Sequence, residues 1–156
     1  MLRYMKCLLP VVLILLGTCA FAQTNYPATL TLQNQVTTNN CSTAEPVALS
    51  GDVNLQYNFT TDSNGVNHFN VTVGNNLTGV GQNTAGSYTA SDSNQYEIET
   101  SQPNGEITVE FRSDLNPQTG GAGMILLQSI DITVDTAGNI AGTVLSNTTQ
   151  CGSATQ

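Results

Sequence analysis

Residues 46–73 carry the clearest pattern in the chain. Val47, Leu49, Val53, Leu55, Tyr57 and Phe59 take alternate positions, with Gly51 in the same register, and Ala48, Ser50, Asp52, Asn54, Gln56 and Asn58 fall between them. A period of two belongs to an extended strand with one buried and one wet face; a helix would scatter the same residues around its axis. Gly51 has nothing to pack in the apolar register, which predicts a bulge or bend in a long strand. Thr60, Thr61, Asp62, Ser63, Asn64 and Gly65 then form a polar cluster in which Asn and Gly accept the positive φ of a tight reversal. Phe69, Val71 and Val73 resume the alternation against His68, Asn70 and Thr72. The stretch predicts an antiparallel hairpin.

The remaining pattern is read the same way. Residues 28–36 alternate weakly and predict an edge strand, and the glycine-rich residues 75–91 predict short strands near 77–80 and around Tyr88. Tyr96, Ile98 and Thr100 alternate with Glu97 and Glu99; residues 101–105 turn the chain back, so that Ile107, Val109 and Phe111 face inward and Thr108, Glu110 and Arg112 outward. Residues 116–123 read as a loop. Residues 124–134, apolar at successive positions in their first half, predict a central strand, returned by residues 135–138 into a last strand over 139–145. About eight strands, three hairpins and no amphipathic helix predict an all-β fold over residues 23–156: a single antiparallel meander domain, closed as a small barrel or flattened as a sandwich.

Residues 1–22 differ in kind. Arg3 and Lys6 precede an apolar run interrupted by Pro10, and Ala20-Phe21-Ala22 ends it, which is the form of a secretory signal peptide. The run is shorter than the ~20 residues of a membrane span. Cleavage after Ala22 leaves Gln23 first and places the domain in the periplasm or outside the cell. A lipid anchor on Cys19 is the less favoured alternative, because Thr18 is large for the position before it. Removing the signal takes Arg3 and Lys6 away and leaves Arg112 against all 11 acidic residues, a balance of roughly −10. Such a surface repels phosphate backbones and anionic headgroups, so the chain predicts no nucleic-acid partner and no stable membrane insertion after cleavage. Cys41 and Cys151 are the cysteines that stay, and in an exported chain they predict one disulfide.

Several residues group beyond the strand pattern: Cys41-x-x-x-Glu45-x-Val47-x-Leu49-x-Gly51, the Thr-Thr-Asp-x-x-Gly hairpin from position 60, Gly79-x-Gly81 running into Gly86-x-Tyr88, and a late Ile132-Thr133-Val134 strand turning through Gly138 toward Cys151. In these the chain resembles a group of small exported bacterial proteins of no assigned activity. It departs from them in the displaced Gly86 and in having a single histidine in the hairpin. The resemblance implies an exported all-β domain and supplies no activity.

Candidate chemistry is sparse. Glu97 and Glu99 share one strand face, with Glu106 and Glu110 expected across the hairpin; paired carboxylates can hydrolyse glycosides, but an ordinary solvated face accounts for them. His68 is the only histidine and falls in the polar register, as an exposed side chain would. Thr60-x-Asp62-x-Asn64-Gly65 echoes a calcium loop, yet Thr60 replaces the first carboxylate and Val71 takes the twelfth place. Gly79-Val80-Gly81 precedes neither a helix nor a lysine, so it is no phosphate cradle. Tyr26, Tyr88 and Tyr96 are the aromatic platforms a glycan could use. The sequons at Asn40, Asn58, Asn70, Asn76 and Asn147 match what an Asn-, Ser- and Thr-rich chain holds by chance. The sequence therefore predicts no catalytic, metal or cofactor site. It predicts a non-enzymatic binding or surface module with a small molecule, glycan or protein as partner. The alternatives are a self-associating surface or matrix subunit, and a small hydrolase using Glu97, Glu99, Glu106 or Glu110.

Overall fold

The computed structural model describes residues 26–40, 45–64, 66–100, 105–119, 123–135 and 139–152; the predicted signal (1–22), Cys41 and the turn residues 101–104 lie outside them. The described residues contain no helix and nine strands: β1 (Tyr26–Val36), β2 (Thr38–Asn39), β3 (Val47–Thr61), β4 (Asn67–Gly81), β5 (Ser87–Ala90), β6 (Ser93–Thr100), β7 (Gly105–Pro117), β8 (Met124–Val134) and β9 (Ile140–Cys151). They form one sheet, curled into a half-barrel, in the order β1-β3-β4-β5-β7-β8-β9-β2, with β6 alongside β4. The all-β expectation holds, and the open choice between barrel and sandwich resolves into a curled sheet that does not close by hydrogen bonds all the way round.

The central hairpin is β3 and β4, paired without interruption from Val47↔Gly81 to Thr61↔Asn67. Alternation explains its packing: Val47, Leu49, Val53, Leu55 and Tyr57 on one strand, and Phe69, Val71, Val73 and Leu77 on the other, are buried. Phe69 packs on Tyr57 at a ring-centroid distance of 4.5 Å and edge-on against Phe59 at 5.5 Å. β8 is central, as its composition predicts, between β7 and β9, and it buries Leu126, Ile130 and Ile132 completely.

Three expectations are corrected. Residues 77–80 are no separate strand but the end of β4, because the inward register continues through Leu77 and Gly79 without a break. The bend assigned to Gly51 falls on its partner: the register of β1 shifts between Leu32 and Gln35 while β3 continues, and Gly51 answers the distortion with a φ of 129°. Lastly, β6 and β7 are not a laddered hairpin. β6 pairs with β4 from Gly74↔Ser93 to Asn67↔Thr100, in the register that β5 sets on the same strand, so β5 and β6 are two halves of one return along β4. The long β4 holds β6 in place, and β7 leaves to pair with β8. The chain is thus not a simple meander, and β2 pairs parallel to β9.

Gly51 tests this description. A Cβ there would run into the backbone oxygen of Asn76, in a conformation that L-residues rarely adopt. Gly51→Ala should cost about 2–4 kcal/mol, combining strain with a main-chain shift, read as a lower urea midpoint. An unchanged midpoint would contradict the register.

Candidate functional site

The seam between β1 and β9 is where the ring of strands is left without a ladder along most of its length, and it holds a cleft of about 330 Å³ lined by Gln35, Val36, Thr38, Val144, Leu145, Ser146 and Asn147. Both walls are distorted there. On β1 the register shift before Gln35 includes Asn34 at a φ of 51°, and on β9 the register shifts opposite Ser129 and Ile130, leaving Leu145 as the extra residue. A bulge adds one residue and re-aims those that follow it. Leu145 is 59% exposed and Val36 55%, so two apolar side chains stand at the opening, while Asn147 beyond the bulge returns to the buried face.

Behind the cleft a line of carboxamides crosses the interior. The backbone N–H of Asp92 donates to Asn75 Oδ1 (3.0 Å), and Asn75 Nδ2 donates to Gln128 Oε1 (3.1 Å) and Ser113 Oγ (3.0 Å). Gln128 Nε2 donates to Asn147 Oδ1 (2.8 Å), and Asn147 Nδ2 donates to Gln35 Oε1 (2.8 Å). Asn75, Ser113, Gln128 and Asn147 are all buried, Gln128 wholly so. The direction of the line follows from its start. A backbone N–H can only donate, so Asn75 must turn its oxygen toward Asp92 and its amino group toward Gln128, and each amide after it must do likewise. Head-to-tail amides polarise one another. The line ends at Gln35 Nε2, a donor that has no acceptor among the described residues and belongs to a side chain lining the cleft.

A second buried polar group lies at the end of the β3–β4 hairpin away from its turn. The Glu45 carboxylate, just before β3, accepts the N–H groups of Asn83 and Thr84 (2.9 Å each), the Thr84 hydroxyl and the Tyr88 phenol (2.8 Å). A Cβ on Gly81 would occupy the place of that carboxylate. The Thr84 hydroxyl, acting against a burial that would raise it, together with the two N–H groups and Tyr88, lowers the Glu45 pKa from 4.5 to about 2. Every near neighbour is a donor, so the group is satisfied. It ties the approach to β3 to the turn between β4 and β5.

The other candidates fall elsewhere. Glu97, Glu106 and Glu110 are exposed on β6 and β7, and the side chain of Glu99 lies outside the described residues. His68 is not the exposed side chain its register predicts: it is half-buried, with Nδ1 3.2 Å from Glu97 Oε1 and Nε2 3.8 Å from Asp62 Oδ2. Asp62 caps its own turn by accepting the N–H groups of Asn64 (2.9 Å) and Val66 (2.8 Å). Of the three tyrosines, Tyr88 is buried on Glu45 and Tyr96 is half-buried with its hydroxyl on the Glu110 carbonyl (2.7 Å), so neither is an open platform; the Tyr26 side chain is outside the described residues. Cys151 ends β9, and its expected partner Cys41 lies outside the described residues. Among the described residues no three His, Cys, Asp or Glu side chains are placed to hold a metal ion. Comparison with known families, curated proteins and solved structures finds no match to the chain.

The Glu45 knot yields a pH test. Its folded pKa lies below the unfolded value, so its contribution is complete above about pH 4.5 and disappears as the pH falls toward 2. Glu45→Gln should cost about 1–3 kcal/mol at pH 7, since an amino group then faces donors. Urea midpoints of the two proteins should converge between pH 5 and 2. A constant gap across that range would show that the carboxylate's charge is not what holds the turn.

Proposed function

We propose that this protein is a non-enzymatic, exported binding module that takes a small neutral ligand in the cleft between β1 and β9. One observation carries the reading: a polarised line of buried amides ends on a donor, Gln35 Nε2, at the edge of a cleft with apolar side chains beside it. Such a donor favours an oxygen acceptor, as in a sugar hydroxyl or an amide carbonyl, while Val36 and Leu145 cover an apolar flank of the same ligand. A mature charge of roughly −10 disfavours anions. The cleft volume is at the lower end of ligand sites, which suits a small molecule. A binder is preferred to a hydrolase because the carboxylates are spread along exposed strand positions rather than converging at the cleft.

Export remains part of this proposal, with the signal over 1–22 removed and Cys41 bonded to Cys151. The parallel pairs Thr38↔Thr148 and Asn39↔Thr149, extended by the Asn40 N–H on the Thr149 carbonyl (2.8 Å), bring the two chains side by side as they approach positions 41 and 151.

Native mass spectrometry of protein purified from a periplasmic extract, without reductant, tests the whole proposal. The expected species starts at Gln23, lacks two hydrogens, and binds at least one of a set of neutral probes (glucose, N-acetylglucosamine, an N-acetylated dipeptide amide). Gln35→Ala should weaken that binding at least tenfold and, because it also removes the acceptor of the buried Asn147 amide, should lower the melting point modestly. Undiminished binding by Gln35→Ala, or no binding to any probe, would overturn the assignment of the cleft.

A further inference from the structure

The seam between β6 and β7 is open in a different way. β5 and β7 pair at Tyr88↔Pro117 and Thr89↔Asn116, and the same register continued would lay β6 against β7. No ladder joins them among the described residues. Three side chains of increasing reach span the widening gap instead: Asp92 Oδ2 accepts the Asp114 N–H (2.7 Å), Asn94 Nδ2 donates to the Arg112 carbonyl (3.2 Å), and the Tyr96 hydroxyl donates to the Glu110 carbonyl (2.7 Å). An extended tyrosine plus one hydrogen bond reaches roughly 9 Å, close to twice the usual strand spacing of about 4.8 Å. The wedge is therefore at most about one strand wide at Tyr96.

The backbone of β7 faces this wedge. The groups of Glu110, Arg112 and Asp114 that meet β6 side chains show that alternate residues of β7 direct their main chain away from β8, and Thr108 shares their register. Val109 and Phe111 are buried on the inner face, while Glu97, Glu106 and Glu110 are exposed on the outer one. An edge with polar main chain, an apolar inner side and acidic outer positions is the form that strand addition uses.

We propose that the wedge between β6 and β7 receives an extended segment of a partner protein as an added strand, with basic residues at alternate positions over Glu97, Glu106 and Glu110. Charge selects this occupant. A second copy of the mature chain would bring Arg112 as its sole Lys or Arg together with 11 acidic residues, and the two copies would repel. Because β6 and β7 run in opposite directions, the added strand is antiparallel to one wall and parallel to the other. It displaces the hydroxyl of Tyr96, which fills the gap in the free protein. This site is separate from the β1–β9 cleft and stands or falls without it.

The test uses the full mature protein and an end-capped octapeptide of alternating lysine and valine, with the glutamate–valine peptide as control. The lysine peptide should protect the backbone N–H groups of Thr108 and Glu110 from hydrogen exchange, and raising the salt should weaken it. Thr108→Pro, which removes one N–H from an edge, should abolish binding, and the double substitution Glu106→Lys with Glu110→Lys should weaken it at least tenfold. Tyr96→Phe, which deletes the tether and keeps the ring, should tighten it severalfold. Equal binding of both peptides, binding unaffected by the double substitution, or protection confined to other strands would overturn the proposal. So would the same protection appearing on self-association of the protein without peptide, since a second copy would then be the occupant.

Discussion

A carboxamide buried in a protein core must both give and accept hydrogen bonds, and three of them in a row, Asn75, Gln128 and Asn147, can do so here only by all pointing the same way, toward the exposed Gln35. That constraint organises this structure. The cost of leaving one such group unpaired is on the order of 1–3 kcal/mol, a large part of the stability of a small domain, so the strands carrying Asn75, Gln128, Asn147 and Gln35 must be brought into line. The irregular features of the sheet serve this end. The register shift on β1 and the extra residue on β9 turn Gln35 and Asn147 toward each other, and the break between β5 and β6 frees the Asp92 N–H to start the line.

Asp92 links the interior to the open edge. Its N–H fixes the orientation of Asn75, while its carboxylate takes the Asp114 N–H at the narrow end of the wedge between β6 and β7. The two seams of the half-barrel thus lie at the two ends of one hydrogen-bonded chain. At the opposite end of the central hairpin from its turn, Glu45 performs a simpler task, gathering the donors of the β4–β5 turn beneath Gly81. These buried polar groups are satisfied by neighbours far away in sequence, which is what makes one arrangement of the strands preferable to a shifted one.

The strands were legible in the sequence because alternation is a local property. Residues 47–59 and 69–73 could be read without knowing what they pack against, and the run from Met124 announced a central strand. Which strands pair was less legible. Tyr96 to Phe111 looks like a hairpin because the turn residues suit one, and only the length of β4 shows that β6 has a better partner. The sites were least legible of all. Asn75, Ser113, Gln128 and Asn147 interrupt the inward register of four strands, and that interruption is a signal; in a chain so rich in Asn, Gln, Ser and Thr it reads as noise until the strands are placed side by side. Glu45 stood out in one spaced pattern and Gly81, Gly86 and Tyr88 in another, although neither spacing says that the two meet around one carboxylate. The exposed glutamates attracted attention for their chemistry, and the structure instead distributes them along two edges.

The directed line of amides is the central claim, and its most direct measurement is hydrogen exchange of side-chain amides by nuclear magnetic resonance. In ¹⁵N-labelled protein the amino groups of Asn75, Gln128 and Asn147 should exchange orders of magnitude more slowly than those of Asn and Gln on the outer face, with Gln35 exchanging fast as the open end. Rapid exchange of Gln128, which is buried completely, would show that the line does not persist in solution and that the donor at the cleft is not set by the core.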